Sequence, residues 1–155
     1  MTDPRAVDAF DRFVRDSEPR LRRALVAAYG PEVGRDAVAE ALAWGWEHWE
    51  RLRVMENPVG YLYRVGQSRR PRTQRGAPEF PPLAPDETAW FEPGLPAALA
   101  SLTENQRVAT VLVYGFAWSL QDTADLLGVK VTTVQNHLER GLKKLRARLE
   151  VSTDA

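Results

Sequence analysis

The chain has 155 residues, of which 44 % are hydrophobic, with zero formal net charge and no cysteine. That apolar content is enough to build a core, and the length suits one ordinary domain or two small ones. The lack of cysteine excludes a disulfide framework, a thiol nucleophile and a cysteine-ligated zinc or iron–sulfur site. No window approaches the roughly 18 apolar residues that span a bilayer, and Met1 to Asp8 lack the order of a signal peptide, so a cytoplasmic protein is expected.

In chain order, Phe10, Phe13, Leu21, Leu25 and Tyr29 recur at helical spacing, with a break expected near residues 17–19 and Pro19 opening a second helix. Gly30-Pro31 ends that segment, and Val33, Ala37, Ala41, Trp44, Trp49 and Leu52 resume an apolar stripe. Asn57-Pro58 stops the stripe and opens a short helix carrying Tyr61, Leu62 and Val65, which Pro71 forbids from continuing. Pro71, Pro78, Pro81, Pro82, Pro85, Pro93 and Pro96 then fall within 71–96, a density that rules out a regular helix and predicts a semi-rigid linker. The linker separates an N-terminal unit, about 5–70, from a C-terminal unit, about 97–150, each small and marginally stable alone. No β-branched alternation suggests a sheet. The expected fold is all-α: two small helical domains, the second a four-helix domain with a helix-turn-helix.

The C-terminal unit carries the chemistry. Ser119 to Leu127 is a short amphipathic helix with a capping serine, and Gly128 supplies the left-handed residue that ends it. Val129 plugs the angle to a second helix, about Val131 to Leu149, in which Val134, Leu138, Leu142, Leu145 and Leu149 are spaced for burial. The opposite face holds Gln135, Asn136, Glu139, Arg140 and Lys143, long polar side chains suited to base edges and phosphates in a major groove. Thr132 and Thr133 at the helix start suit phosphate contacts from hydroxyls and free amides. The positive charge is local: Lys130, Arg140, Lys143, Lys144, Arg146 and Arg148 stand against Glu139 alone. A solvated amphipathic helix in a bundle is the bland alternative.

These residues, with Ala98 to Val108 before them and Arg140-Gly141-Leu142 after, resemble region four of extracytoplasmic-function sigma factors. The resemblance implies binding of a minus-35 promoter duplex, with Gln135, Asn136, Glu139 and Arg140 facing the bases. It also implies docking on the RNA polymerase β flap, which the apolar residues around Val111, Leu112 and Phe116 would serve, although packing explains them equally well. The N-terminal unit resembles region two through Arg35 to Trp44 and Gly60 to Val65. That likeness implies contact of Asp36, Glu40, Leu42 and Trp44 with the polymerase β′ coiled coil. Capture of a minus-10 strand falls to aromatic faces and cations, for which Trp49, Arg51, Arg53, Tyr61, Tyr63 and Arg64 are available. Trp44, Trp46 and Trp49 at helical spacing are more often core anchors than stacking platforms.

Two departures fall where promoter opening would occur: Ser68 stands at a position usually Asn, and Pro71 leaves Arg69, Arg70, Arg72 and Arg75 on an irregular segment. The expected function is that of a sigma factor that binds core RNA polymerase and directs promoter recognition and initiation, with an anti-sigma factor as a further possible partner. The alternative is a sigma-like DNA-binding regulator, or a polymerase-binding protein, that does not open promoters by itself. An adaptor without DNA contact would tolerate neutralisation of Arg140 and Lys143. An enzyme is not expected: His48 and His137 lie in separate units, Glu40 and Glu47 read as solvated, and there is no phosphate-binding glycine loop, metal-ligand spacing or cofactor motif.

Overall fold

The computed structural model describes residues 3–71, 78–80 and 94–153, which form helices and turns with no strand among them. Helix α1 (Pro4–Tyr29) starts on Asp3, whose side chain accepts from the Arg5 amide, with Pro4 in the first turn. The break expected near 17–19 does not occur, because α1 runs straight through Pro19. A proline inside a helix costs about 3 kcal/mol. Here Ser17, Leu21, Ala24, Leu25 and Ala28 are buried on one continuous face, and packing of that face outweighs the lost bond.

Gly30-Pro31 turns the chain into α2 (Pro31–Glu47), which packs along α1 through Val33, Ala37, Val38 and Ala41. The stripe read as continuous from Val33 to Leu52 is broken at His48, and the short helix α3 (Trp49–Leu52) follows. The five-residue step from Trp44 to Trp49 exceeds one helical turn, which explains the break. Helix α4 (Pro58–Arg69) is capped by Asn57, whose Oδ1 accepts from the Gly60 amide at 3.2 Å. It stops at Arg70, immediately before Pro71, as expected.

Of the linker, only residues 71, 78–80 and 94–96 are described; Arg72, Arg75, Pro81, Pro82, Pro85 and Pro93 lie outside the described residues. Pro96, assigned to the linker from sequence, stands instead in the first turn of α5 (Leu95–Ala100). Helix α6 (Glu104–Thr110) begins with a reciprocal capping box between Thr103 and Gln106 and continues into a π-helical turn over Val111–Gly115. Helices α7 (Leu120–Leu127) and α8 (Val131–Thr153) complete the chain, α8 extending past the expected Leu149.

The two units share a core. Val108, Leu112 and Leu126 from the C-terminal half are buried together with Leu21, Leu25, Leu52, Leu62 and Tyr63 from the N-terminal half. Arg107 secures this junction. Its Nε donates to the Ala27 carbonyl at 2.7 Å and Nη2 to that of Ala28, while Nη1 donates to Leu102 at 2.9 Å and Leu99 at 3.3 Å. The last carbonyls of α1 have no partner within their own helix, and a cation there also suits the negative end of the helix dipole. Burial lowers the Arg107 pKa, but a guanidinium remains charged.

Tyr63 lies at the same junction, and its hydroxyl is buried without a hydrogen-bond partner. Burial, then the nearby Glu104 carboxylate, raises its pKa, so the phenol is neutral. An unsatisfied buried hydroxyl is costly, so Tyr63→Phe is expected to leave the fold intact and stabilise it by about 1 kcal/mol. Chemical denaturation followed by far-UV circular dichroism checks this; a clear loss of stability would mean that the hydroxyl has a partner in solution.

Candidate nucleic-acid interface

Ser119 caps α7 by accepting from the Asp122 amide at 3.0 Å, and Gly128 ends the helix with φ 69° and ψ 35°. That left-handed conformation favours glycine, and the Val129 amide then bonds back to the Ala124 carbonyl at 3.0 Å. Ala124, Ala109, Val134 and Leu138 form the small core that fixes α7 against α8, with Val129 packed on it. Leu145 joins a separate cluster with Ala98 and Leu102, which holds the far half of α8 on α5.

Close approach of α8 to α6 depends on Gly141. A Cβ there would lie 2.7 Å from the Thr110 hydroxyl, itself bonded to the Gln106 carbonyl at 2.6 Å. Lys144 Nζ donates to Gln106 Oε1 at 3.2 Å, so the same glutamine caps α6 and anchors α8. Sequence reading missed this role for Gln106, which a capping-box pattern of Thr103 and Gln106 would have signalled.

With its apolar face thus buried, α8 turns Gln135, Asn136, Glu139, Arg140 and Lys143 outward, all exposed. Thr132 is exposed and Thr133 half-buried at the helix start, beside amides not used within the helix. Arg140 makes no ion pair among the described residues. His137, half-buried beside this face, is held below the ordinary imidazole value by burial first and Arg140 second, and is therefore neutral at pH 7. The surface offers both hydrogen-bond donors and acceptors and excess positive charge, a composition chemically complementary to base edges and phosphates.

The residues expected to hold a single strand are divided by the fold. Arg51 and Arg53 are exposed, Arg53 Nε meeting Glu50 at 3.0 Å. Trp49 is half-buried, with ring centroids 5.3 Å from Phe10 and 5.5 Å from Phe13. Tyr61 is half-buried against Trp44. Tyr63 is only 2 % exposed, which corrects its expected place on a stacking surface: in this arrangement the ring belongs to the core between the two halves. Arg64 rests on the helix-turn-helix, since a Cβ added to Gly128 would stand 2.0 Å from its guanidinium.

Of the residues expected to face polymerase, Asp36 and Glu40 are exposed on α2 and Leu42 is half-buried. Trp44 is buried and stacked on His48 at 4.2 Å, so it is a core anchor rather than a surface residue. Of the apolar residues for which packing and β-flap docking were equal expectations, Leu112 is fully buried, Phe116 is exposed beneath Arg23 and Val111 is half-buried. No helix is long and apolar enough to cross a membrane, and no group of three or more His, Asp or Glu converges as a metal site, among the described residues.

Residues 94–145 match the family model of sigma-70, region 4. The whole architecture resembles the sigma factor RpoE of Bartonella quintana, solved in complex with the anti-sigma factor NepR. The TM-score is 0.63 at 16 % identity, over 92 % of this chain and 98 % of that one. No curated protein sequence matches the chain. The C-terminal unit is thus similar to sigma-70 region 4, and the chain shares its fold with a solved sigma factor. The region 4 match and the shared all-helical fold are consistent with the sigma-factor expectation.

Proposed function

We propose that α8 reads the minus-35 duplex through Gln135, Asn136, Glu139 and Arg140, with Thr132, Thr133 and Lys143 on phosphates. The observation that carries this reading is the outward polar face of α8, free of ion pairs among the described residues, in a helix-turn-helix whose other face is packed through Val134, Leu138 and Leu145. The exposed face of α2 around Asp36 and Glu40 docks on the β′ coiled coil, and the surface near Phe116 on the β flap. Trp49, Arg51, Arg53, Tyr61 and Arg64 engage the minus-10 strand. An anti-sigma factor is a further partner, a reading supported by the complex in which the similar sigma factor was solved. Zero net charge fits a subunit that draws much of its promoter affinity from polymerase rather than from phosphates.

A second reading, a protein that binds polymerase but needs help to open promoters, is favoured by the end of α4 at Arg69 and the burial of Tyr63. Transcription from a promoter library by core RNA polymerase, with and without the full chain, separates the two. New start sites sharing an upstream element support the first reading. Binding to core without transcripts supports the second, and failure to bind core overturns both.

A further inference from the structure

Helix α8 rests on the other helices along a narrow line. At 3.6 residues per turn its buried apolar residues Val134, Leu138 and Leu145 fall within roughly 40° of one another around the axis. Contact along one line sets how close α8 lies but holds its roll only weakly, because apolar contact is not directional. Roll decides the aim of the opposite face. With side-chain tips roughly 5–6 Å from the axis, a rotation of about 20° carries them by about 2 Å. A hydrogen bond to a base edge does not survive a displacement of that size.

What opposes the roll is polar and comes from α6. Lys144 lies roughly 100° round the helix from the apolar line, and its Nζ donates to Gln106 Oε1 at 3.2 Å. The same oxygen accepts from the Thr103 amide at 3.2 Å, so both of its lone pairs are used and its position is set by the start of α6. Gln106 is buried, and its main-chain amide donates back to Thr103 Oγ1 at 3.3 Å. Gly141 lies between the apolar line and Lys144 and lets the helices touch there. A Cβ on it would stand 2.7 Å from Thr110 Oγ1 and 3.6 Å from Gln106 Cβ. Arg140 stands one turn before Lys144, and Asn136 two.

We propose that Gln106 is a positioning residue for base recognition: by holding Lys144 it fixes the roll of α8, and so aims Asn136 and Arg140 at the bases without touching DNA itself. This role rests on the minus-35 reading proposed above and names the residue that sets its geometry. It also separates two neighbouring cations. Lys143 points outward to phosphate, whereas Lys144 spends its ammonium on α6.

Gln106→Met and Lys144→Met each remove one end of the contact while keeping side-chain bulk, and Gln106→Glu keeps both the acceptor and the capping box. The full chain is assayed with core RNA polymerase on promoters that carry each single-base change in the upstream element recovered above. The readout is the ratio of transcripts from the preferred element to those from each changed one. The unmodified chain is expected to discriminate by about tenfold or more at the base pairs read by Asn136 and Arg140, both methionine variants by about threefold or less, and Gln106→Glu within about twofold of the unmodified chain. Circular dichroism at the assay temperature establishes that each variant is folded. Should Gln106→Met unfold, Lys144→Met decides alone, since it leaves the core and the capping box untouched. Folded methionine variants that keep the unmodified ratios overturn the proposal, because a purely structural role lowers stability and not discrimination. Equal weakening of all promoters by Lys144→Met, with Gln106→Met harmless, also overturns it and makes Lys144 a phosphate contact. If the unmodified chain itself shows no preference in the upstream element, or starts no transcript, the minus-35 reading fails and the positioning role falls with it.

Discussion

Arg107→Leu is expected to destabilise the chain by about 3 kcal/mol, because it strips the donors from carbonyls at the end of α1 and before α6 and leaves them buried. Arg107 is 3 % exposed, so water cannot readily take its place. For a chain of this size the loss corresponds to a fall in Tm of roughly 6–12 °C, measured by circular dichroism or calorimetry. Arg107→Lys keeps the charge, but a single ammonium cannot span carbonyls of α1 and of the turn before α6 together. It is expected to recover only part of the stability, about half. A drop of less than about 1 kcal/mol for the leucine variant would show that the junction is held by its apolar core and that the guanidinium network contributes little.

Arg140→Ala should remove sequence discrimination rather than stability. Its guanidinium is exposed, free of ion pairs among the described residues, and placed on the outward face of α8. A bidentate contact to a guanine is worth about 1–3 kcal/mol, so affinity for the preferred minus-35 duplex should fall roughly tenfold to a hundredfold and preference should relax at one base pair. Lys143→Ala is the contrasting case. As a phosphate contact it should weaken all duplexes alike and reduce the slope of log affinity against log salt by about one. Titrations of a duplex library at two salt concentrations separate these patterns. If both variants weaken every sequence equally, α8 binds backbone only and the assignment of its reading face is wrong.

How far these sites were legible in the sequence differs along the chain. Asn57-Pro58, Ser119 and Gly128 act within one or two turns of themselves, and each caps or ends a helix where its chemistry requires. The burial of Val134, Leu138 and Leu145, and with it the outward face of Gln135 to Lys143, follows from their spacing alone. Pro19 misled because its local cost was set against a helical face whose burial depends on α2, many residues away in sequence. Tyr63 and Arg64 adjoin each other on α4, and nothing local distinguishes a ring that stacks on a base from one that enters a core.

The all-α class, the helix-turn-helix and the outward polar face of its second helix could be read from the residues alone, because capping, turn geometry and apolar period are short-range. Long-range packing alone sets the shared core of the two halves, the role of Arg107 as the closing cap of a helix some 80 residues earlier in the chain, and the burial of Tyr63. Burial of a side chain depends on which distant surface arrives against it, and that is settled by the summed packing of both halves rather than by any neighbour in sequence.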